Sequence, residues 1–323
     1  MENRALRKNC IFTSAGNKHN VQEWIPNGDR SWDLISVYYG DDADTYGFIE
    51  SLSDKFFSRK GSKFQNLRAI YLENPAIFKQ YDRIWVMDDD LRISPTSIET
   101  MFQVAECWDF WVCQPSFDAT GKVSYAVTAH QPESILRIVD FVEVTCPLFR
   151  KDKLCVFLDE YDGELVGWGI DYWYGNSLES KKTNRFAVVD IVQTLNPHDE
   201  AKGGVREIDV LQPRAERSKH ADRVLSHLSI TATHPENKYW ILDDYRVNKY
   251  KRDIEDSNKE LLELRSNLAL ALNENYDLKE RNCLQENEIR SISTTYNEIL
   301  GSTTWRLTSP VRWLGRLIKR ALR

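Results

Sequence analysis

Between residues 9 and 200, short runs of apolar, β-prone residues alternate with stretches of helical spacing. That alternation admits few folds other than a sheet covered by helices. The strand candidates are Cys10 to Ser14, Asp33 to Tyr39, Arg83 to Met87, Phe110 to Gln114 and Arg185 to Val189. Between them, Gln65 to Tyr81 and Pro95 to Cys107 have helical spacing, the second with Ser94 as N-cap and Pro95 at the first helical position. The expectation is an α/β domain over residues 1–200 with a mainly parallel central sheet flanked by helices. At 41% apolar and 11% aromatic residues, the chain has the material for a buried core. Residues 201–250, with Gly203, Gly204 and scattered charge, lack a clear period and read as a peripheral extension or linker.

Beyond that point the period changes. From Ile254 to Ile299 a heptad places Ile254, Leu261, Leu268, Asn275, Asn282, Ile289 and Tyr296 at a, and Ser257, Leu264, Ala271, Leu278, Gln285, Ile292 and Ile299 at d. The apolar seam predicts a coiled coil over 251–300, and asparagines at a favour a homodimer. A single long helix folded back on the first domain is the alternative. Residues 301–323 carry six basic and no acidic side chains, so the remainder holds −12 against the chain's −6. From Ser309 to Arg323 the residues sort on a helical wheel, with Trp313, Leu314, Leu317 and Ile318 on one arc and Arg312, Arg316, Lys319 and Arg320 on the other. Such a helix suits the surface of an anionic membrane, or else a partner protein. An acidic body with one basic tail argues against a nucleic-acid binder.

Six cysteines (Cys10, Cys107, Cys113, Cys146, Cys155 and Cys283) show neither C-x-x-C spacing nor the density of a disulfide scaffold, and read as reduced thiols. No apolar stretch suits a signal peptide or a membrane span. The expected location is therefore cytoplasmic, peripheral on the inner face of the membrane.

The chemistry concentrates in YDRIWVMDDDLRI, residues 81–93. An apolar strand delivers Asp88, Asp89 and Asp90 at its C-terminal end, where open α/β sheets place ligands. Adjacent carboxylates repel one another, and a hard divalent cation, Mg2+ or Mn2+, relieves that repulsion while completing its shell with phosphates. In GELVGWGIDYWYG, residues 163–175, Gly167 and Gly169 are expected to leave room around Trp168, whose indole offers a stacking face. Asp171 is then a candidate base toward an acceptor hydroxyl, or alternatively the cap of an aromatic-rich helix. His198 in LNPHDE is a candidate metal ligand or a solvated loop histidine. Glu143, among apolar residues, is a candidate for hydroxyl recognition or a half-buried carboxylate paired with Arg or Lys.

Taken in order, SAGNKHN at 14–20, DLISVYYGDD at 33–42, YDRIWVMDDDL at 81–91, CQPSFD at 113–118, DFVEVTCPLF at 140–149 and WGIDYWYG at 168–175 resemble a domain-of-unknown-function family. That family is itself similar to GT-A-fold glycosyltransferases. The resemblance implies a D-x-D site that holds a nucleotide sugar through Mn2+ or Mg2+. It implies Thr13, Ser14, Ala15 and Gly16 beside the base or ribose, Asp88 nearer the ribose, and Asp90 on the metal. Asp171 would face the acceptor and His198 would complete the metal site, while Lys63 and Asn66 would contact the diphosphate or sugar. Trp168, Gly169 and Asp89 belong to the same expected substrate site, and the triplet leaves open which two aspartates bind metal. The tail GSTTWRLTSPVRWLGRLIKRALR looks like the C-terminal segments of bacterial transferases that build surface polysaccharide. Together these imply transfer to a glycan or lipid-linked acceptor. The competing expectation is a non-catalytic scaffold with a degenerate transferase domain.

Overall fold

The computed structural model describes residues 7–132, 134–199, 207–232, 235, 245–302, 312–314, 316, 319 and 320. Three neighbouring strands are buried on both faces, as in a sheet covered on both sides. β1 (Asn9–Ala15), β2 (Trp32–Tyr38) and β4 (Arg83–Asp88) are buried almost residue for residue. They pair in parallel, β2 and β4 on either side of β1, and the short β3 (Lys55–Ser58) extends the sheet beyond β2.

The full order is β3-β2-β1-β4-β7-β5-β8-β6, completed by β5 (Val112–Phe117), β6 (Leu136–Ile138), β7 (Leu148–Arg150) and β8 (Phe186–Thr194). β6 and β7 are antiparallel to their neighbours, and the other strands share one direction. The fold is thus α/β with a mixed, mostly parallel sheet, as expected. β7 enters against β4 from the end where β4 finishes, so the loop before it crosses the C-terminal edge of the sheet. The amide of Val86 donates to Pro147 O (2.9 Å) and that of Asp88 to Thr145 O (3.0 Å).

On one face, α2 (Lys63–Glu73), α3 (Ala76–Lys79), α5 (Lys151–Glu160) and α6 (Ile170–Ser177) bury Phe64, Leu67, Phe78, Phe157 and Tyr174 against Phe12, Val86 and Phe149. α4 (Pro95–Cys107) starts where its sequence predicts, with Ser94 Oγ accepting from Ser97 N at 3.1 Å, and its Phe102 meets Trp85 edge-on. α1 (Ala43–Leu52) is capped by Asp42, which accepts from the Thr45 amide.

One expectation needs correction. The helix expected over Gln65 to Tyr81 is broken after Glu73, because Pro75 cannot continue the hydrogen-bond ladder. Within the stretch read as a peripheral extension or linker, residues 207–230 carry α7 (Glu207–Leu211) and α8 (Arg214–His227), and Ala221, Val224, Leu225 and Ile230 join the main core. A narrow apolar stripe on a heavily charged helix hid that packing.

The chain divides into two units, Met1–Val247 and Asn248–Arg323. α9 (Tyr245–Gly301) is one continuous helix across the predicted heptads. Of the tail, Trp313 and Leu314 are described and exposed, but the expected amphipathic helix over Ser309 to Arg323 lies mostly outside the described residues. No helix among the described residues is long and apolar enough to cross a membrane. All six cysteines are free thiols.

Candidate active site

The strand that carries the aspartates has Ile84 to Met87 wholly buried, and it surfaces at Asp88, with Asp89 and Asp90 in the turn that follows. The end of β1 is laced to this turn. Thr13 Oγ1 donates to Met87 O (2.9 Å) and the Gly16 amide to Asp89 Oδ2 (2.8 Å). Asn20 donates its backbone N–H to Asp89 O (2.7 Å) and its side-chain Nδ2 to Asp90 O (2.6 Å). A Cβ on Gly16 would lie 2.7 Å from the Tyr39 ring, so the ring would have to shift. Thr13, Ser14 and Ala15 are buried, so the Thr13 hydroxyl shapes the strand end rather than facing a ligand.

Lys63 and Asn66, on the first turns of α2, fix the same corner from below. Lys63 Nζ lies 2.7 Å from Asp88 Oδ1 and donates to Val144 O and Thr145 O, each at 2.8 Å. Those three partners use all three ammonium protons. Asn66 is fully buried and donates to Ser14 Oγ (3.1 Å) and Gly61 O (3.0 Å). Both residues position the strand ends, and their donors are spent inside the protein.

The Lys63 contacts pull residues 144–145 onto Asp88, and this brings Glu143 into the site. Glu143 is 2% exposed. Its Oε1 accepts from the Thr128 hydroxyl at 2.5 Å and its Oε2 from Thr145 at 3.3 Å, while its amide donates to Gln114 Oε1 at 2.6 Å. Burial pushes its carboxyl up to about 7 against the hydrogen bond from Thr128, with the negative charges of Asp171 and Asp88 adding to the rise. The paired carboxylate considered from sequence is therefore not what forms, as its partners are hydroxyls.

Asp171 lies in the first turn of α6, whose N-cap is Gly169 rather than Asp171 itself. Burial raises its carboxyl to about 6, against hydrogen bonds from the backbone at Tyr172, Val144 and Gly169. The Val144 contact ties Asp171 directly to the Glu143 loop. Tyr125 and Tyr172 close this side: the Tyr125 hydroxyl is raised by burial, then by the charge of Asp171 and a hydrogen bond with Tyr172. Gln114, Thr128 and Tyr125 were not singled out from sequence, because nothing local distinguishes them and only the sheet order brings them to Glu143.

The space beside Gly167 and Gly169 is filled. A Cβ on Gly167 would meet Ile208 at 2.7 Å, and one on Gly169, held at φ +94°, would meet Leu165 at 3.1 Å and Ala221 at 3.2 Å. These glycines admit α7 and α8, not a ligand. Trp168 remains 41% exposed, with the guanidinium carbons of Arg214 and Arg217 at 5.9 and 5.7 Å from its ring centroid.

Residues downstream of β8 return to the acidic turn, as Arg92 and Leu195 exchange backbone hydrogen bonds at 3.0 Å. His198, three residues on, is exposed. Among the described residues, no group of three or more His, Cys, Asp or Glu side chains is gathered to hold a metal ion. Asp88 and Asp90 share this turn, and Mg2+ or Mn2+ is commonly held by one or two carboxylates plus substrate phosphate.

No family profile matches the chain and no curated protein does. Among solved structures, it is similar to S. aureus TarS at a TM-score of 0.44 and 12% identity, covering 69% of this chain and 43% of that one. It is also similar to S. aureus TarS 1-349 in complex with UDP, at a TM-score of 0.42 and 13% identity over 69% of this chain and 70% of that one. GalNAc-T7 with UDP, GalNAc and Mn2+ gives 0.44 and 10%, over 68% and 48% of the two chains. The chain thus spans less than half the length of TarS and of GalNAc-T7. At these TM-scores the chemistry must be read from the side chains themselves.

Proposed function

We propose that this protein is a glycosyltransferase that moves a sugar from a nucleoside-diphosphate sugar to a hydroxyl of a glycan or lipid-linked acceptor, assisted by Mn2+ or Mg2+. One observation carries the reading: Asp88, Glu143 and Asp171, far apart in sequence, gather at the C-terminal edge of the sheet, where Lys63 ties Asp88 to the carbonyls of Val144 and Thr145 and the charges of Asp171 and Asp88 act on Glu143. Glu143 is raised by burial and by its neighbours' charge and Asp171 by burial, and carboxyls shifted in this way support a site that takes a ligand or a proton.

In the reaction the bond from the sugar C1 to the diphosphate oxygen breaks and a bond from C1 to the acceptor oxygen forms. Asp171, ionised above pH about 6, takes the acceptor proton or orients the hydroxyl. Glu143 holds an acceptor or sugar hydroxyl beside it. Asp88 and Asp90 would hold the divalent cation, which supplies positive charge against the departing diphosphate. The Asp89 contacts to Gly16 and Asn20 keep the turn rigid. His198 is proposed as a further ligand to that cation. The six basic residues of 301–323 support placement on the cytoplasmic face of an anionic membrane, in keeping with bacterial surface polysaccharide assembly.

A scaffold without catalysis is favoured by one feature, the Lys63–Asp88 ion pair, which already compensates one aspartate. Incubation with UDP- and GDP-sugars and Mn2+ separates the two. Metal-dependent release of nucleoside diphosphate from one donor supports the transferase, whereas no turnover and no thermal stabilisation by any nucleotide supports the scaffold.

A further inference from the structure

α9 runs uninterrupted for 57 residues, about 85 Å at 1.5 Å per residue. Along it Leu261, Leu264, Leu268, Leu278, Ile289 and Ile292 are 41% to 68% exposed. All six are a or d positions of the heptad that starts at Ile254, so they form one stripe along the helix. An apolar stripe of that length needs a cover.

The residues flanking the stripe identify the cover. In a parallel, in-register pair of helices, each g residue faces the e residue of the following heptad on the partner. Three such matches join two charged residues here, and all three join opposite charges: Glu260 with Arg265, Glu274 with Lys279, and Arg281 with Glu286. All six side chains are exposed. In an antiparallel pair e faces e and g faces g, so these matches do not arise. Asn275 and Asn282, both exposed at a, would each meet its own copy only when the two chains are parallel and unshifted.

We infer that α9 is covered by α9 of a second copy of this chain, as a parallel, in-register two-stranded coiled coil over residues 254–299. The asparagine pairs set the register and the three g–e ion pairs set the direction. Both chains therefore enter the rod at the same end, so its N-terminal end carries two transferase units. Apolar residues off the seam, Leu262 at b with Leu270 and Leu284 at c, make a larger bundle the natural competitor. The inference stands apart from the transferase reading, since it uses no residue of that site.

Sedimentation equilibrium of the full-length protein gives the first test, and twice the chain mass is expected. Disulfide trapping gives the second, in a C107S/C283S background that removes the exposed thiols. A Gln285→Cys variant at d, already a polar position, brings its sulfur against its own copy and forms a covalent dimer under mild oxidation. A Lys259→Cys variant at the outward f position does not. A reciprocal charge test follows: Glu274→Lys and Lys279→Glu each weaken self-association, and mixing the two variants restores it. A monomer, a trimer, or a dimer that fails to cross-link at Gln285→Cys would each overturn the inference.

Discussion

The two edges of the sheet both gather aspartates, and they treat them in opposite ways. At the N-terminal edge lies a cleft of about 970 Å3 lined by Arg7, Arg30, Arg83 and Arg150. There, although burial acts to raise Asp109, hydrogen bonds and charge from Arg150, with Arg83 and Arg185, hold its carboxyl below the usual range. Asp54 is likewise lowered: burial is outweighed by the Leu34 amide, Arg30 and Arg7. At the C-terminal edge, Glu143 and Asp171 are raised instead. There Lys63 pairs with Asp88 at 2.7 Å. The cleft at the N-terminal edge is thus the chemically settled one. Arginines lower the carboxyls beside them, whereas a carboxyl raised by burial carries a cost when it ionises.

Breaking the contrast at the active edge gives the largest effect. Asp171→Asn keeps the shape but removes the group that accepts a proton. A fall in kcat of roughly 10²–10⁴ with little change in Tm is expected from steady-state kinetics. The wild-type rate itself falls as pH drops through about 6, where Asp171 takes up a proton. A rate that stays flat to pH 5 would remove Asp171 from the chemistry.

A compensated pair behaves differently. Arg137 is 1% exposed and bidentate to Asp190, at 2.8 and 2.9 Å. Arg137→Met strands a buried carboxylate, and denaturant unfolding should show a loss of about 3–5 kcal/mol. The smallest effect sharpens the comparison by its sign. Glu143 is neutral in both folded and unfolded states well below pH 4.5, and charged in both above about 7. Its burial penalty therefore grows as pH rises between those values, and folding stability is lost over that window. Glu143→Gln removes the penalty, so relative to wild type it should gain on the order of 2 kcal/mol between pH 5 and pH 8. A loss of stability at pH 8 would mean that the carboxylate is held by a cation after all.

The sequence made some of this legible. Continuous apolar runs marked β1, β2, β4, β5 and β8, and the Ser94-Pro95 start marked α4, because those signals are local. β6 and β7, three residues each, are too short to carry a period. β7 is the strand that matters most, since its antiparallel entry lays Glu143 beside Asp88. Glu143 and Asp171 were both named as candidates, but their meeting depends on hydrogen bonds at Thr145 and Val144 that no local pattern announces. Gly167 and Gly169 suggest room around Trp168, whose indole is indeed exposed, but the space at the two glycines is taken. The helices that fill that space lie some forty residues downstream, where dense charge masked four core positions.

The acidic turn is probed most directly by calorimetric titration of UDP and of GDP into the full-length protein with Mn2+, with EDTA, and in the Asp90→Ala variant. Binding of one nucleotide that requires Mn2+ and disappears in D90A is the expected result. Binding that is indifferent to Mn2+, or unchanged in D90A, would contradict the assignment of Asp88 to Asp90 as the place where a cation meets the diphosphate.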